Sequence, residues 1–410
     1  MIHKYTSNMI HKYTSLASNL SNTNVSNINL SFLKRFKLII AFITLLLIFI
    51  LSGLFSLSDS YDDKLDQTIQ VSHKQVIDDL LNILEDDVTH GFNYQPQFTN
   101  FNNKILSKIE FQLKNAFPYN SSLPITKAIW QTWKVDLNDS KFPANNKPHI
   151  QTWIDQNPDY SYRLFSDQEM IQFIEKEFKS IPSVLKAFNL MPKPVLKADF
   201  FRYLVVFAKG GIYSDIDTVN LKPVDSWISS QSSVFNETNN PGLIVGIEAD
   251  PDMKNWRHYY ARRIQFVQWT LQAKIGHPVL RSLITHIIQI TLDRARDDLL
   301  HQVVGKDAGD DIMNWTGPGI WTDEIFRYLN ELFQSRDYFH YQSWDNYHQY
   351  LNWKLFTKLR QPIVIHDVAI LPITSFCAGM GRMGAGPIDD NLAYVQHLFG
   401  GNWKNGKIDE

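Results

Sequence analysis

The chain has 410 residues, room for one large domain or two small ones, and 44% of them are apolar, ample for a core. A formal net charge of −2 implies no broad basic surface and argues against a general nucleic-acid binder. The single cysteine, Cys377, excludes a disulfide within the chain, so stability has to come from packing, and Cys377 itself reads as a small buried hydrophobe.

Residues 1–37 open on MIHKYTSN followed by MIHKYTS, a short tandem copy with no assigned role, and carry no acidic group; they are expected to form a cytosolic tail. Residues 38–58 (LIIAFITLLLIFILSGLFSLS) are 21 uncharged residues in a row. At about 1.5 Å per residue that run crosses a bilayer core. Lys34, Arg35 and Lys37 precede it, and Asp59, Asp62 and Asp63 follow, which orients the N-terminus to the cytosol and the bulk of the chain to the lumen. The run and the segment before it are both longer than an ordinary cleaved signal, the competing reading, so a retained signal anchor is expected. Residues 59–122 read as a lumenal stem. Ile69, Val76 and Ile83 fall seven apart, marking a helix that pairs with a partner or packs on the main domain. Residues 91–103, polar and aromatic without period, read as a linker.

A globular domain is expected over 123–410. Ala128–Trp133 reads as a buried strand and Tyr160–Ser166 as a second one. Ser166 and Glu169 then form a capping box for a helix. Next comes VLKADFFRYLVVFAKGGIYSDIDTVNLKPV, residues 195–224. Phe201, Leu204, Val205 and Ala208 give it one apolar helical face, Lys209-Gly210-Gly211 ends the helix, and Ile212, Tyr213 and Ile216 suit a strand. Asp215 and Asp217 flank Ile216, which places both carboxylates on one face of an extended chain. Such a pair suits Mg²⁺ or Mn²⁺ bridging to phosphate. Two aspartates at this spacing also arise by chance: Asp250-Pro251-Asp252 is a second instance, and Pro251 marks it as a loop. The preceding helix and glycine pair set the first instance apart. Asp199 and Arg202, three apart, share a helix face, the spacing of a surface ion pair.

Leu243–Glu248 reads as another buried strand, Ala261–Ile290 as helix interrupted near Gly276-His277-Pro278, and Asn314–Asp323 as a Gly/Pro loop entering a helix capped by Thr322 or Asp323. Val364–Ile373 reads as a late strand with its turn, with His366 outside the main site. Alternating strands and helices predict an α/β domain with a mostly parallel sheet and ligands at the carboxyl ends of its strands.

Residues 195–224 resemble the DXD-containing glycosyltransferases of family 32, as do Ile129-Trp130-Gln131-Thr132-Trp133-Lys134, Trp315-Thr316-Gly317-Pro318-Gly319 and His397 to Lys404 (HLFGGNWK). The chain is most similar to the fungal initiation-specific α-1,6-mannosyltransferase family. The resemblance implies a GT-A-like nucleotide-sugar-binding domain that moves mannose from GDP-mannose to an N-linked glycan core with retained α configuration, starting the outer chain. It implies Mn²⁺ (or Mg²⁺) on Asp215, Asp217 and His397, with the two aspartates catalytic. Donor contacts would come from Gln131, Thr132, Trp133, Asp199, Arg202 and Tyr213, and the rim of the active site from Thr316, Gly317 and Pro318. It further implies a single-pass type II protein of the Golgi membrane, with mannosyltransferase complex subunits as candidate partners. Trp130 stands where many members have His, and reads equally as a core residue. His397 as a helix-end residue, and Trp403 as a lid or anchor, are the competing readings at the C-terminal motif. Two other functions stay open: a subunit of a mannan-elongating complex, and a metal-dependent hydrolase using the same carboxylates.

Overall fold

The computed structural model describes residues 106–230, 240–303, 311–332 and 351–400, together with the strand segments Phe92–Tyr94, Ser233–Val234 and Glu237–Thr238. The expected tail, the membrane anchor at 38–58, most of the expected stem and Trp403 lie outside the described residues. Among the described residues no helix is long and apolar enough to cross a membrane.

The strands, in chain order, are β1 (Phe92–Tyr94), β2 (Ala128–Thr132), β3 (Ser161–Phe165), β4 (Gly211–Ser214), β5 (Thr218–Asn220), β6 (Ser233–Val234), β7 (Glu237–Thr238), β8 (Leu243–Ala249), β9 (Gln265–Phe266), β10 (Thr270–Ala273), β11 (Ile363–Ile365), β12 (Val368–Leu371) and β13 (Val395–His397). Among the described residues nine of them build one sheet in the order β1-β11-β12-β8-β10-β4-β2-β3, with β9 on β8. Four of the seven pairings along that path are parallel, so the sheet is mixed and mostly parallel. The antiparallel pairs gather around β10 and the β11–β12 hairpin, whose two strands are joined by a tight turn. Separately, β13 pairs with β5.

The helix Pro194–Lys209 is the centre of the packing. Every residue from Asp199 to Ala208 is buried, so it is enclosed on all sides instead of presenting the single apolar face that its spacing marks. It lies between the sheet and the helix Pro278–Arg296. Its end is set by Gly210, at φ 66°, whose N–H donates to Val206 C=O at 2.8 Å. Gly211, at φ 90°, opens β4 in contact with β2: a Cβ there would lie 2.5 Å from the Ala128 carbonyl oxygen. The capping box of Ser166 and Glu169 starts the helix Asp167–Glu177.

Three expectations change. The globular domain begins before Leu123: the helix Lys108–Ala116 buries Leu113, the ring of Phe117 packs 5.0 Å from Phe178 and 5.4 Å from Phe207, and Phe92–Tyr94 is a strand on β11, not linker. The first half of Ala261–Ile290 holds two short strands, Gln265–Phe266 and Thr270–Ala273, and helix starts only at Pro278. Trp269, Leu271 and Ala273 alternate there with Thr270 and Gln272, a period of two that is too short, over a four-residue strand, to stand out. Thr322 and Asp323 sit inside the helix Pro318–Glu331, which starts on its proline.

The second aspartate pair is a loop, as Pro251 indicates. The Asp250 carboxylate is saturated by Arg263, the Thr357 hydroxyl and the Lys358 N–H, so it anchors the segment that precedes β11.

We expect Gly211→Ala to lower stability by roughly 2–4 kcal/mol, from left-handed backbone strain plus the clash with Ala128. Denaturant unfolding measures this, and an unshifted midpoint would contradict the tight approach of β4 to β2.

Candidate active site

β4 ends at Ser214, and the chain then turns sharply. Thr218 N–H donates to the Asp215 carbonyl at 3.2 Å, and the Thr218 hydroxyl donates to the same oxygen at 2.6 Å. Asp215 and Asp217 thus occupy a tight turn, not the extended strand that their spacing predicts, and the turn itself makes the carboxylates converge. Ile216 between them is buried against Phe142 and Ile150, with Trp133 packed alongside. Trp133 therefore supports the turn through Ile216. The hydroxyl of Ser214 lies 2.8 Å from that of Thr218 and 2.6 Å from that of Thr270, and Trp153 Nε1 donates to Thr218 Oγ1 at 3.1 Å. Asp215 N–H donates to the Trp269 carbonyl at 2.9 Å. Gln131 Nε2 donates to the Asp215 carbonyl at 3.2 Å, while its Oε1 accepts from Tyr162 Oη at 2.7 Å. Gln131 is a bracket for the turn, engaged at both ends of its amide. Trp130 is also structural, its indole N–H donating to the Gly210 carbonyl at 2.7 Å.

A chain of charges runs into the turn from the central helix. Arg202 Nη1 lies 2.7 Å from Asp199 Oδ1, and Arg202 Nη2 lies 3.2 Å from Asp215 Oδ1. Asp199 is 3% exposed and Arg202 5%, so this is not the surface pair of the sequence reading. Tyr213 Oη donates to Asp215 Oδ1 at 2.8 Å. That uses its only proton, so Thr132 Oγ1, 3.0 Å away, is the donor to Tyr213. Thr132 reaches the carboxylate through this relay. Thr316 Oγ1 donates to Asp199 Oδ2 at 3.1 Å. Thr316, Gly317 and Pro318 are buried at the junction of the helices Asp311–Trp315 and Pro318–Glu331, behind Asp199 and not on an exposed rim.

His397 arrives from the far end of the chain. β13 lies antiparallel to β5 with His397 opposite Thr218, a strand position in place of the helix end considered above. His397 Nε2 is 3.3 Å from Asp217 Oδ1, and Asp217 Oδ2 accepts the Gly400 N–H at 2.9 Å. One ligand atom from each of Asp215, Asp217 and His397 falls within 4.8 Å of the others, a set that fits one divalent cation.

The electrostatics favour that use. Burial pushes the Asp215 carboxyl above its ordinary value, against the pull of Arg202 and with the help of the negative Asp217. Burial pushes Asp217 the same way, but His397 and the Gly400 N–H more than offset it and hold the group low. Asp199 is pushed up to about 6 by burial, despite Arg202.

Residues 143–234 match the family described as "Glycosyltransferase sugar-binding region containing DXD motif", a segment that holds Asp199, Arg202, Tyr213, Asp215 and Asp217. An initiation-specific alpha-1,6-mannosyltransferase of Candida albicans is 48% identical over 320 residues, covering 78% of this chain and 82% of that protein. Its counterpart of the same name in Saccharomyces cerevisiae is 36% identical, covering 82% of this chain and 92% of that protein. The chain belongs to the initiation-specific α-1,6-mannosyltransferase family. An inositol phosphoceramide mannosyltransferase of Schizosaccharomyces pombe is more distant, 32% identical over 36% of this chain.

Within this family member, several residues at the site carry no local signal in the sequence. Gln268 accepts from Tyr203 Oη at 2.7 Å, and Trp269 stacks on His397. Both lie on the turn into β10, and only the period of two in that strand points to them. Tyr162, Ser214, Thr218 and Thr270 hold the turn but read as ordinary strand residues.

Tyr213→Phe is expected to leave the fold intact and weaken Mn²⁺ binding about ten- to a hundredfold, because the carboxylate loses the hydroxyl that orients it. Calorimetric titration with Mn²⁺ decides, and an unchanged affinity would remove Tyr213 from the site. A second expectation concerns Asp199. Its folded value of about 6 lies above the ordinary 3.8, so folding is favoured by protonation below 3.8, and that contribution is lost as the pH rises through about 6. Wild type should therefore lose stability relative to Asp199→Asn across that window. Parallel unfolding profiles for the two proteins would show an ordinary carboxyl instead.

Proposed function

We propose that this chain is a retaining α-1,6-mannosyltransferase that moves mannose from GDP-mannose to a core mannose of an N-linked glycan, the step that starts the outer chain. The observation that carries the reading is the convergence of Asp215, Asp217 and His397 within 4.8 Å at the carboxyl end of the sheet. The relatives in Candida albicans and Saccharomyces cerevisiae support the mannosyl group and the linkage by their names. The more distant inositol phosphoceramide mannosyltransferase supports mannose as the sugar common to the relatives.

Asp215, Asp217 and His397 would hold Mn²⁺ or Mg²⁺. When bound, such an ion neutralises the departing diphosphate as a Lewis acid. Asp199 and Arg202 are a buried charged pair in the middle of the central helix, and Arg202 Nε is a buried donor with no hydrogen-bond partner, available to a sugar or phosphate oxygen. The carboxylates gathered here are all engaged: Asp199 by Arg202 and Thr316, Asp215 by Arg202 and Tyr213, Asp217 by Gly400 and His397. That supports attack of the acceptor hydroxyl on the same face as the leaving phosphate over a protein nucleophile. We also place the protein in the Golgi membrane as a single-pass type II protein with this domain lumenal. The support is the uncharged run at 38–58, with basic residues before it and acidic residues after it.

The test is transfer from GDP-mannose to a core N-glycan in the presence of Mn²⁺, with the product linkage assigned by NMR. We expect chelation to abolish transfer, added Mn²⁺ to restore it, and Asp217→Ala to reduce it by roughly a hundredfold or more. Undiminished transfer by folded Asp217→Ala would overturn the reading. Consumption of GDP-mannose with no product on the acceptor would point to the hydrolase, and transfer only with added partner chains to the complex subunit.

A further inference from the structure

A histidine that ligates a metal through one ring nitrogen normally has its other nitrogen held by a carboxylate, a carbonyl or water, which fixes the ring plane and the tautomer. His397 lacks this on the protein side. Nε2 faces Asp217, while Nδ1 is buried with no hydrogen-bond partner. The ring is held by aromatic contacts instead. Trp269 lies almost parallel to it, with centroids 4.2 Å apart and planes inclined by 11°. Phe399 meets it edge-on, with centroids 4.2 Å apart and planes at 71°.

We propose that Trp269 and Phe399 form an aromatic clamp that sets the ring plane of His397 for metal ligation. Both are positioning residues, and the inference rests on the reading of Asp215, Asp217 and His397 as a metal centre.

Two features show that these rings are not there for the core alone. Trp269 buries its indole N–H without an acceptor, a cost that phenylalanine would avoid. Its carbonyl also holds the Asp215 N–H at 2.9 Å, so a single residue fixes one ligand through its backbone and another through its side chain. Phe399 is 46% exposed and has φ 51°, a left-handed conformation that disfavours a bulky side chain. It is held there because its two neighbours bond Asp217: Leu398 N–H donates to the Asp217 carbonyl, and Gly400 N–H to its carboxylate, each at 2.9 Å. The strained residue is thus bracketed by the second aspartate of the motif while its ring edge rests on the histidine.

The experiment is Mn²⁺ binding to the purified full chain without donor, by calorimetry or by the EPR signal of free Mn²⁺, with thermal unfolding in EDTA as the folding control. Trp269→Leu removes the stack and should weaken binding about tenfold or more, while Trp269→Phe keeps a stacking ring and most of the affinity. Phe399→Asn keeps a residue that tolerates the left-handed backbone, so it should unfold no earlier than wild type and yet bind Mn²⁺ more weakly. In a His397→Ala background neither substitution should weaken binding further. The clamp is overturned if both variants bind as wild type does, or if their penalties persist without His397. Should Trp269→Leu fail to fold, the exposed Phe399→Asn decides alone. Loss of Mn²⁺ binding already in the wild type would take down the metal reading and the clamp together, whereas tight wild-type binding untouched by the variants sinks only the clamp.

Discussion

Negative charge is crowded at one end of the sheet, and most of the site can be understood as its containment. Among the described residues Asp199, Asp215 and Asp217 meet with a single guanidinium, Arg202, between them. Carboxylates this close, one buried and two half-buried, lose hydration and repel one another, which is why Asp199 and Asp215 sit above their ordinary values. Arg202 neutralises one unit by bridging Asp199 to Asp215. The surplus is what a dication would neutralise, and a nucleotide diphosphate arriving with its own charge makes that need greater.

The fold holds this cluster by tying its backbone down from several directions. The Asp215 carbonyl takes donors from Thr218 and Gln131, its N–H is fixed to Trp269, and Ile216 is sunk into its own small apolar cluster. These are contacts between β2, β4, β5 and the entry to β10, so the geometry of the turn is inherited from strand pairing. The central helix adds Arg202 from the opposite side. Because the helix is enclosed over Asp199 to Ala208, its two buried charged residues, Asp199 and Arg202, have no solvent to retreat to and are confined to one arrangement.

Much of this can be read in the residue order, for a physical reason: the helix, glycine pair and aspartate turn are contiguous, and local chemistry dictates each. Gly210 and Gly211 need positive φ, and they fall where the sequence places the helix end. The same holds for the capping box at Ser166 and for Pro251, which marks the Asp250 pair as loop. What is not legible depends on pairing at a distance. β10 is only four residues long, too short for its period of two to stand apart from the helix that follows, and Gln268 and Trp269 stay hidden with it. The start of the domain is misplaced because Phe92–Tyr94 makes sense only beside β11. Gln131, Thr132 and Trp133 are at the site, but spacing does not say that they face the turn and not the open space above it.

The bond between Asp217 and Gly400 joins residues 183 positions apart. Closing so long a loop comes late in folding, since little else rewards it until the strands between are in place. On the ribosome the aspartates emerge well before the imidazole that completes their set. A chain that stops after β12 would lack Leu398 and Gly400, and with them the two backbone donors that fix the carbonyl and the carboxylate of Asp217.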